Sequence, residues 1–475
     1  MLFYYTGKNR YMDYPNKTTK FLHLKIKDGE YMLKKWTSAV MLTALTLLIN
    51  NAIATEQPLH RYLIKNVNVY DGSDKLIPNQ DVLIEGNLIK QISDNIAAEN
   101  GTDIIEGGNK TLSPGFIAVH EHIIGQMSFG DIFTTDTRFA AYVASSTVNT
   151  YLMNGYTALR DVAGNTFSLK KAIDEGYVTG PRIYPSGPMI TQTSGHADHR
   201  HASDASNVNG NGTWDPMVRN GDMVVADGVP QVLKAARESL RQGATQIKIA
   251  VGGGTGSYAD PLDVIEFTPE EIRAAVNAAS DWGTYVLAHV YNSDGIRRAV
   301  DNGVKSIEHA NLIDEETLRY MKEKDIWLSP QVSVYTFIPK GYTEDQAKKH
   351  RAAYAGLDNL FSTAKKIGYK KIAFGSDIIT DPAAIERINE EFVHRTKWFS
   401  NAEIMQQATA NSAALLALSG KRNPYPHPMG VIKVGAYADL LIIDGNPLDD
   451  ISILTKPKEN LKMIMKDGVI YKNTL

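Results

Sequence analysis

Residues 113–122 run Ser113-Pro114-Gly115-Phe116-Ile117-Ala118-Val119-His120-Glu121-His122. A Pro-Gly breaker opens the stretch, a short apolar run follows, and two histidines two positions apart close it. Pro-Gly marks a turn and a bounded apolar run is the signature of a buried strand. In a strand, residues i and i+2 project to the same side, so the His120 and His122 imidazoles leave the strand end together while Glu121 turns away. The His-Glu-x-x-His spacing of a helical zinc protease is absent, which leaves Glu121 without that role.

Downstream the same style recurs. Apolar runs at residues 157–159, 246–250, 285–289, 306–309, 326–329 and 371–375 alternate with helix-like segments such as residues 269–282. Strands alternating with helices of that length form βαβ units and a parallel sheet. Residues 113–424 supply enough units for an α/β fold of the (β/α)8 TIM-barrel type, whose active sites lie at the C-terminal strand ends. Residues 55–112 and 425–475 instead carry short strands around Asp-Gly and Gly-Asn turns. They are expected to form a small β-sandwich domain from the N- and C-terminal segments. The expected strand ends carry His120 and His122, Lys248, His289, His309 and Asp377. One strand-end histidine is ordinarily a hydrogen-bonded structural residue. Four imidazoles, a carboxylate and a lysine at one barrel mouth are a metal-site inventory.

Composition narrows the classes. With 475 residues, 43% hydrophobic and 22% charged, the chain is an ordinary globular protein, not disordered, collagen-like or multi-span. It has no cysteine, so disulfides and thiolate zinc sites are excluded. A formal charge of −3 argues for no nucleic-acid partner. From Met32, a Lys34-Lys35 start, an apolar run over residues 39–49 and Ala52-Ile53-Ala54 predict a signal peptide over 32–54, cleaved before Thr55. Its apolar run is too short for a permanent anchor, so no stable membrane anchor survives cleavage. Residues 1–31 read as a mis-assigned upstream extension, with Met32 the initiator. Cleavage removes eight basic and three acidic residues, leaving 42 basic against 50 acidic. The expectation is a mildly acidic exported protein, periplasmic or secreted.

Further stretches carry a resemblance. They are Gly155-Tyr-Thr-Ala-Leu-Arg-Asp161, Gly180-Pro-Arg182, Ser194-Gly-His-Ala-Asp198, Gln246-Ile-Lys-Ile249, Ser306-Ile-Glu-His-Ala310, Phe374-Gly-Ser-Asp377 and Ala438-Asp-Leu-Leu-Ile442 with Asp444-Gly-Asn-Pro-Leu448. With residues 113–122 they resemble the metal-dependent amidohydrolase superfamily, in its imidazolonepropionase-related, Xaa-Pro-dipeptidase-like branch that includes an ochratoxin-hydrolysing enzyme. The resemblance implies two divalent metal ions, most simply zinc. His120, His122 and Asp377 would hold one, and His289 and His309 the other. Lys248, carboxylated by carbon dioxide to a carbamate, would bridge them; the structural alternative for Lys248 is a salt-bridged lysine.

The same resemblance makes Asp377 the proton shuttle, Tyr291 a group that polarises the carbonyl and His196 a substrate-binding residue. Arg200 nearby could grip a substrate carboxylate bidentately. His199 and His201 depart from the family text and read as solvated. Arg160-Asp161 reads as a structural ion pair below the site, and Gly252–Gly256 as a flexible loop near the metals. The expected function is a binuclear amidohydrolase cleaving a small substrate, an Xaa-Pro-like dipeptide or an N-acyl amino acid, by attack of a metal-bridging hydroxide. Alternatives are hydrolysis of a cyclic amide, lactone or organophosphate ester on the same site, or a non-catalytic periplasmic metal-binding protein. Family members assemble into oligomers, so a homo-oligomer is expected without a number.

Overall fold

Short strands around tight turns at the two ends of the chain meet in one sheet. In the computed structural model, which describes residues 59–204 and 215–475, β1 (Arg61–Tyr70), β2 (Leu76–Glu85) and β3 (Leu88–Ser93) form an antiparallel meander. The turn between β2 and β3 uses Gly86 at φ 61°, a left-handed conformation that glycine adopts without a Cβ penalty. β4 (Thr102–Glu106) and β5 (Thr111–Pro114) lie parallel to β1. The signal-peptide and upstream-extension readings, residues 1–54, lie outside the described residues.

The middle of the chain builds parallel strands. These are β6 (Phe116–Glu121), β7 (Tyr156–Asp161), β8 (Arg182–Pro185), β9 (Met189–Thr191), β10 (Met223–Val225), β11 (Ile247–Ala250), β12 (Val286–Asn292), β13 (Ser306–Leu312) and β14 (Trp327–Ser329). β6-β7-β8 pair in parallel, as do β10-β9-β11-β12-β13-β14. Thr245 N donates to Pro185 O at 2.9 Å, joining β8 to the approach of β11. Leu328 N donates to Lys371 O at 2.9 Å and Val119 N to Phe374 O at 2.7 Å, so residues 371–374 bridge β14 back to β6. This is a TIM-barrel-like α/β arrangement.

The helix expected over residues 269–282 runs Pro269–Asp281, started by a Thr268/Glu271 capping box with proline in its first turn. β15 (Leu440–Ile443), β16 (Leu461–Lys466) and β17 (Val469–Asn473) then join β5, completing the eight-stranded sheet β17-β16-β15-β5-β1-β2-β3 with β4 on β1. Its core is Ile64, Val82, Leu112, Leu440, Ile442 and Met463. Two of the quoted motif stretches meet where this sheet touches β8. The buried Arg182 guanidinium donates to Asp439 at 3.0 Å and to Asp467 at 2.7 Å. Losing either end would leave a buried charge unpaired, which is why arginine and aspartate are needed there together.

Candidate metal centre

β6 ends with the His120 and His122 rings 5.5 Å apart. Glu121, between them, points the other way: it accepts from Tyr151 Oη, Ser376 N and Ser376 Oγ, each at 2.8 Å. It thereby ties β6 to the segment carrying Asp377. Burial pushes the Glu121 carboxyl up to about 8.

His120 presents a ligand nitrogen. Its Nδ1 lies 2.7 Å from Glu308 Oε2, and its buried Nε2 has no hydrogen-bond partner. An ionised carboxylate only accepts, so the ring proton is assigned to Nδ1 and the Nε2 lone pair is free. That lone pair faces Asp377 Oδ1 at 3.5 Å with no proton between them. Asp377 Oδ1 also lies 3.1 Å from His122 Nε2, and Oδ2 lies 3.8 Å from His309 Nδ1. Burial is the largest influence on Asp377 and pushes its carboxyl up, but the surrounding imidazoles hold it well below the ordinary range. Burial pushes His120 down to about 4 and drives His289 and His309 well below the usual imidazole value. Neutral imidazoles, one with its second nitrogen fixed by a carboxylate, are the form that ligates a metal.

Backbone conformation aims two of these groups. His309 and Ala310 have φ of 71° and 60°, beside a register shift in the β12–β13 ladder. A bulge of this kind re-aims a side chain. Asp377 sits at φ 54°, with its N–H donating to His120 O at 3.1 Å. Non-glycine residues rarely adopt this conformation, and the surrounding packing must hold them there.

The ligand atoms of His120, His309 and Asp377 all lie within 4.8 Å of one another. His289 stands edge-on to His309 at 4.4 Å between ring centres and stacks on His196 at 3.9 Å. Lys248 on β11 is buried, lines the same cavity and, among the described residues, forms no ion pair within 4.0 Å. Burial lowers its ammonium to about 8, although Glu308 and Asp377 pull the other way. Nitrogen and oxygen donors in this state fit divalent cations with borderline preference, zinc among them.

Tyr291 also lines the cavity; its hydroxyl is 2.7 Å from Tyr335 Oη, which is itself 3.3 Å from His309 Nδ1. Burial raises the Tyr291 phenol far above its ordinary value, so it is a neutral donor. His196 is held by Ser257 Oγ at 3.0 Å and by its backbone N–H on Glu266 at 2.9 Å. Residues 252–256 pass so close that a Cβ on Gly254 would lie 1.8 Å from His196 Nδ1. The glycines of this loop are therefore a matter of clearance.

Three expectations differ from what is found. His199, read as solvated, lines the cavity with its side chain mostly buried and its Nδ1 3.4 Å from Asp215 Oδ2. Arg200 is not brought to the cavity: its guanidinium makes a bidentate pair with Asp198, at 2.7 and 2.6 Å, and lines an adjacent hollow with His201 and Tyr258. A carboxylate two residues away captures the fork that a substrate would need. Arg200→Met is accordingly expected to lower stability by about 1–3 kcal/mol through the stranded Asp198. It should change kcat/KM less than about threefold; denaturant melts and steady-state rates separate the two. Arg160 does not pair with Asp161. It donates to both Glu308 oxygens at 2.8 Å, while Asp161 accepts from Ile123 N and Thr166 Oγ1. Neighbours in a strand face opposite sides, so these two side chains cannot pair with each other. Tyr335 carried no signal in the sequence, and Glu308, although it stands in a quoted stretch, gave no sign of its role: the partners of both lie far along the chain.

Comparison with known proteins agrees with this geometry. The Amidohydrolase family profile matches residues 111–471. Ochratoxinase of Aspergillus niger is 32% identical over 375 residues, 76% of this chain and 75% of that protein. A solved prolidase complexed with N-methylphosphonate-L-proline superposes with TM-score 0.80 at 32% identity, covering 87% of this chain and 100% of that one. A Xaa-Pro dipeptidase with methionine bound in its active site gives 0.75 at 30% identity, covering 87% and 100%. Parallel strands that deliver histidines, a lysine and an aspartate to one cavity define a hydrolase acting on carbon–nitrogen bonds. The chain belongs to the Amidohydrolase family, in the branch that holds ochratoxinase and the Xaa-Pro dipeptidases.

Proposed function

We propose that the chain is a binuclear metal-dependent amidohydrolase that cleaves the amide bond of an Xaa-Pro-like dipeptide or an N-acyl amino acid. The observation that carries this reading is the unpartnered, buried His120 Nε2 facing Asp377 in the cavity that Lys248, His289 and His309 also line. His120, His122 and Asp377 would hold one cation and His289 and His309 the other, and Lys248, as a carbamate, would supply them with anionic oxygen ligands. Two such cations, when bound, polarise a scissile carbonyl and acidify water.

The chain's own groups do the rest. Asp377, kept ionised, takes the proton of the attacking water and returns it to the leaving amine. The neutral Tyr291 hydroxyl, oriented by Tyr335, donates to the carbonyl oxygen as charge develops there. Glu308 fixes the His120 tautomer, and Arg160 compensates the Glu308 charge. His196, braced by Ser257 and stacked on His289, takes the polar end of the substrate.

The test is the mature chain from Thr55, reconstituted with zinc and assayed on dipeptides and N-acyl amino acids. About two ions per chain, with turnover that chelation abolishes and zinc restores, supports the reading. Two bound ions with no turnover of any panel member overturns it. The signal-peptide reading adds export to this proposal, and an amino terminus at Thr55 on protein recovered outside the cytoplasm is the matching check.

A further inference from the structure

The cavity is unevenly furnished. Among its described lining residues, Lys248 and Asp377 alone are lysine, arginine or carboxylate, and both belong to the metal side. A second set of lining residues is apolar: Ile132, Phe133, Met189, Met217 and Met223. They come from four separate segments, the helices Phe129–Thr134 and Pro216–Asn220 and the starts of β9 and β10, yet pack together as one cluster. Met127, Ala197 and Ala250 back them.

Nearby lysine and arginine side chains do not reach this face, and His199, whose ring lies 5.7 Å from that of Phe133, is engaged by Asp215 at 3.4 Å. Arg200 is paired with Asp198, and Lys349 donates to the carbonyls of Ser257 and Asp260. An acidic side chain seated on the apolar cluster would meet neither lysine nor arginine there, and a basic one no lining carboxylate other than Asp377 on the metal side. Stripping such a group of water without a partner costs more than the contact returns. An aliphatic or aromatic group is favoured for the opposite reason, since it removes apolar surface from water on both sides. Three unbranched, polarisable methionines adapt to different shapes, so the face selects apolarity more than outline.

We infer that this face is the specificity subsite and that the substrates carry a bulky, uncharged, aliphatic or aromatic group next to the scissile amide. The inference rests on the amide-hydrolase reading and adds the substrate class. The zinc-loaded mature chain is assayed on dipeptides and N-acyl amino acids in which Gly, Leu, Met, Phe, Asp and Lys are varied on each side of the amide in turn. At one of the two positions, kcat/KM for Leu, Met and Phe exceeds that for Gly, Asp and Lys by roughly 10- to 100-fold. The three apolar members fall within about tenfold of one another. Met217→Gln and Met223→Gln, made separately, each lower the Leu-to-Gly ratio by about tenfold. A ratio is read because it is unaffected by loss of folded protein.

Equal kcat/KM across apolar, charged and glycyl members at both positions overturns the subsite while leaving the hydrolase intact. An apolar preference that both glutamine variants leave unchanged overturns its assignment to this face. No turnover of any member, with two zinc ions bound, removes the amide-hydrolase reading and this inference with it.

Discussion

Lys248→Ala lowers kcat/KM by about 10³-fold or more, and millimolar acetate or propionate restores part of it. The expectation follows from three features of one side chain. Lys248 is buried, lines the cavity with four histidines of the site, and forms no ion pair among the described residues. An ammonium there would repel cations, whereas a carbamate supplies two anionic oxygens. A salt-bridged structural lysine would behave differently: its loss would lower the melting temperature, and a small acid would not rescue the rate. Undiminished activity in Lys248→Ala ends the bridging role.

The pH dependence has a definite sign. Burial lowers the lysine to about 8, so the free amine that carbon dioxide attacks grows as pH rises through that value. Metal-free protein supplied with zinc should therefore regain activity faster at pH 8.5 than at pH 6.5 when both solutions are held at the same dissolved carbon dioxide concentration. Equal rates at the two values would contradict an amine-dependent step.

Asp377→Asn removes the proton acceptor while keeping the side chain's shape. The expected loss in kcat is 10²- to 10⁴-fold, about the range for a positioned general acid–base, with KM changed far less. Because the carboxyl is held below the ordinary range, the acidic limb of the wild-type kcat/KM profile should lie at correspondingly low pH and vanish in the variant. Metal content measured alongside separates a lost shuttle from a lost ligand: zinc retained with kcat gone supports the shuttle. A variant within tenfold of wild-type kcat contradicts it.

What could be read directly was whatever depends on near neighbours in the chain. The His120/His122 pair is legible because strand period two is a local rule, and the helix from Pro269 because its capping residues sit within four positions. The alternation of apolar runs and helices carries the α/β class for the same reason. Arg200 shows the limit. A bidentate fork is visible in the sequence, but not that Asp198 occupies it. Arg160 is a second case, since its partner Glu308 lies 148 residues away.

The sequence alone therefore determined the repertoire: imidazoles at strand ends, a lysine and an aspartate of the right chemistry, and strands of the right period. Only the tertiary structure decided which of them share a cavity and what stands behind each. Closure of residues 371–374 onto β6 carries Asp377 to His120, positive φ at His309 turns that ring, and Tyr335 steadies Tyr291. The apolar face of Ile132, Phe133, Met189, Met217 and Met223 likewise exists only once four segments pack. Periodicity acts between neighbouring residues, whereas a site is a set of distances between distant ones, and those are set by how strands and loops close on each other.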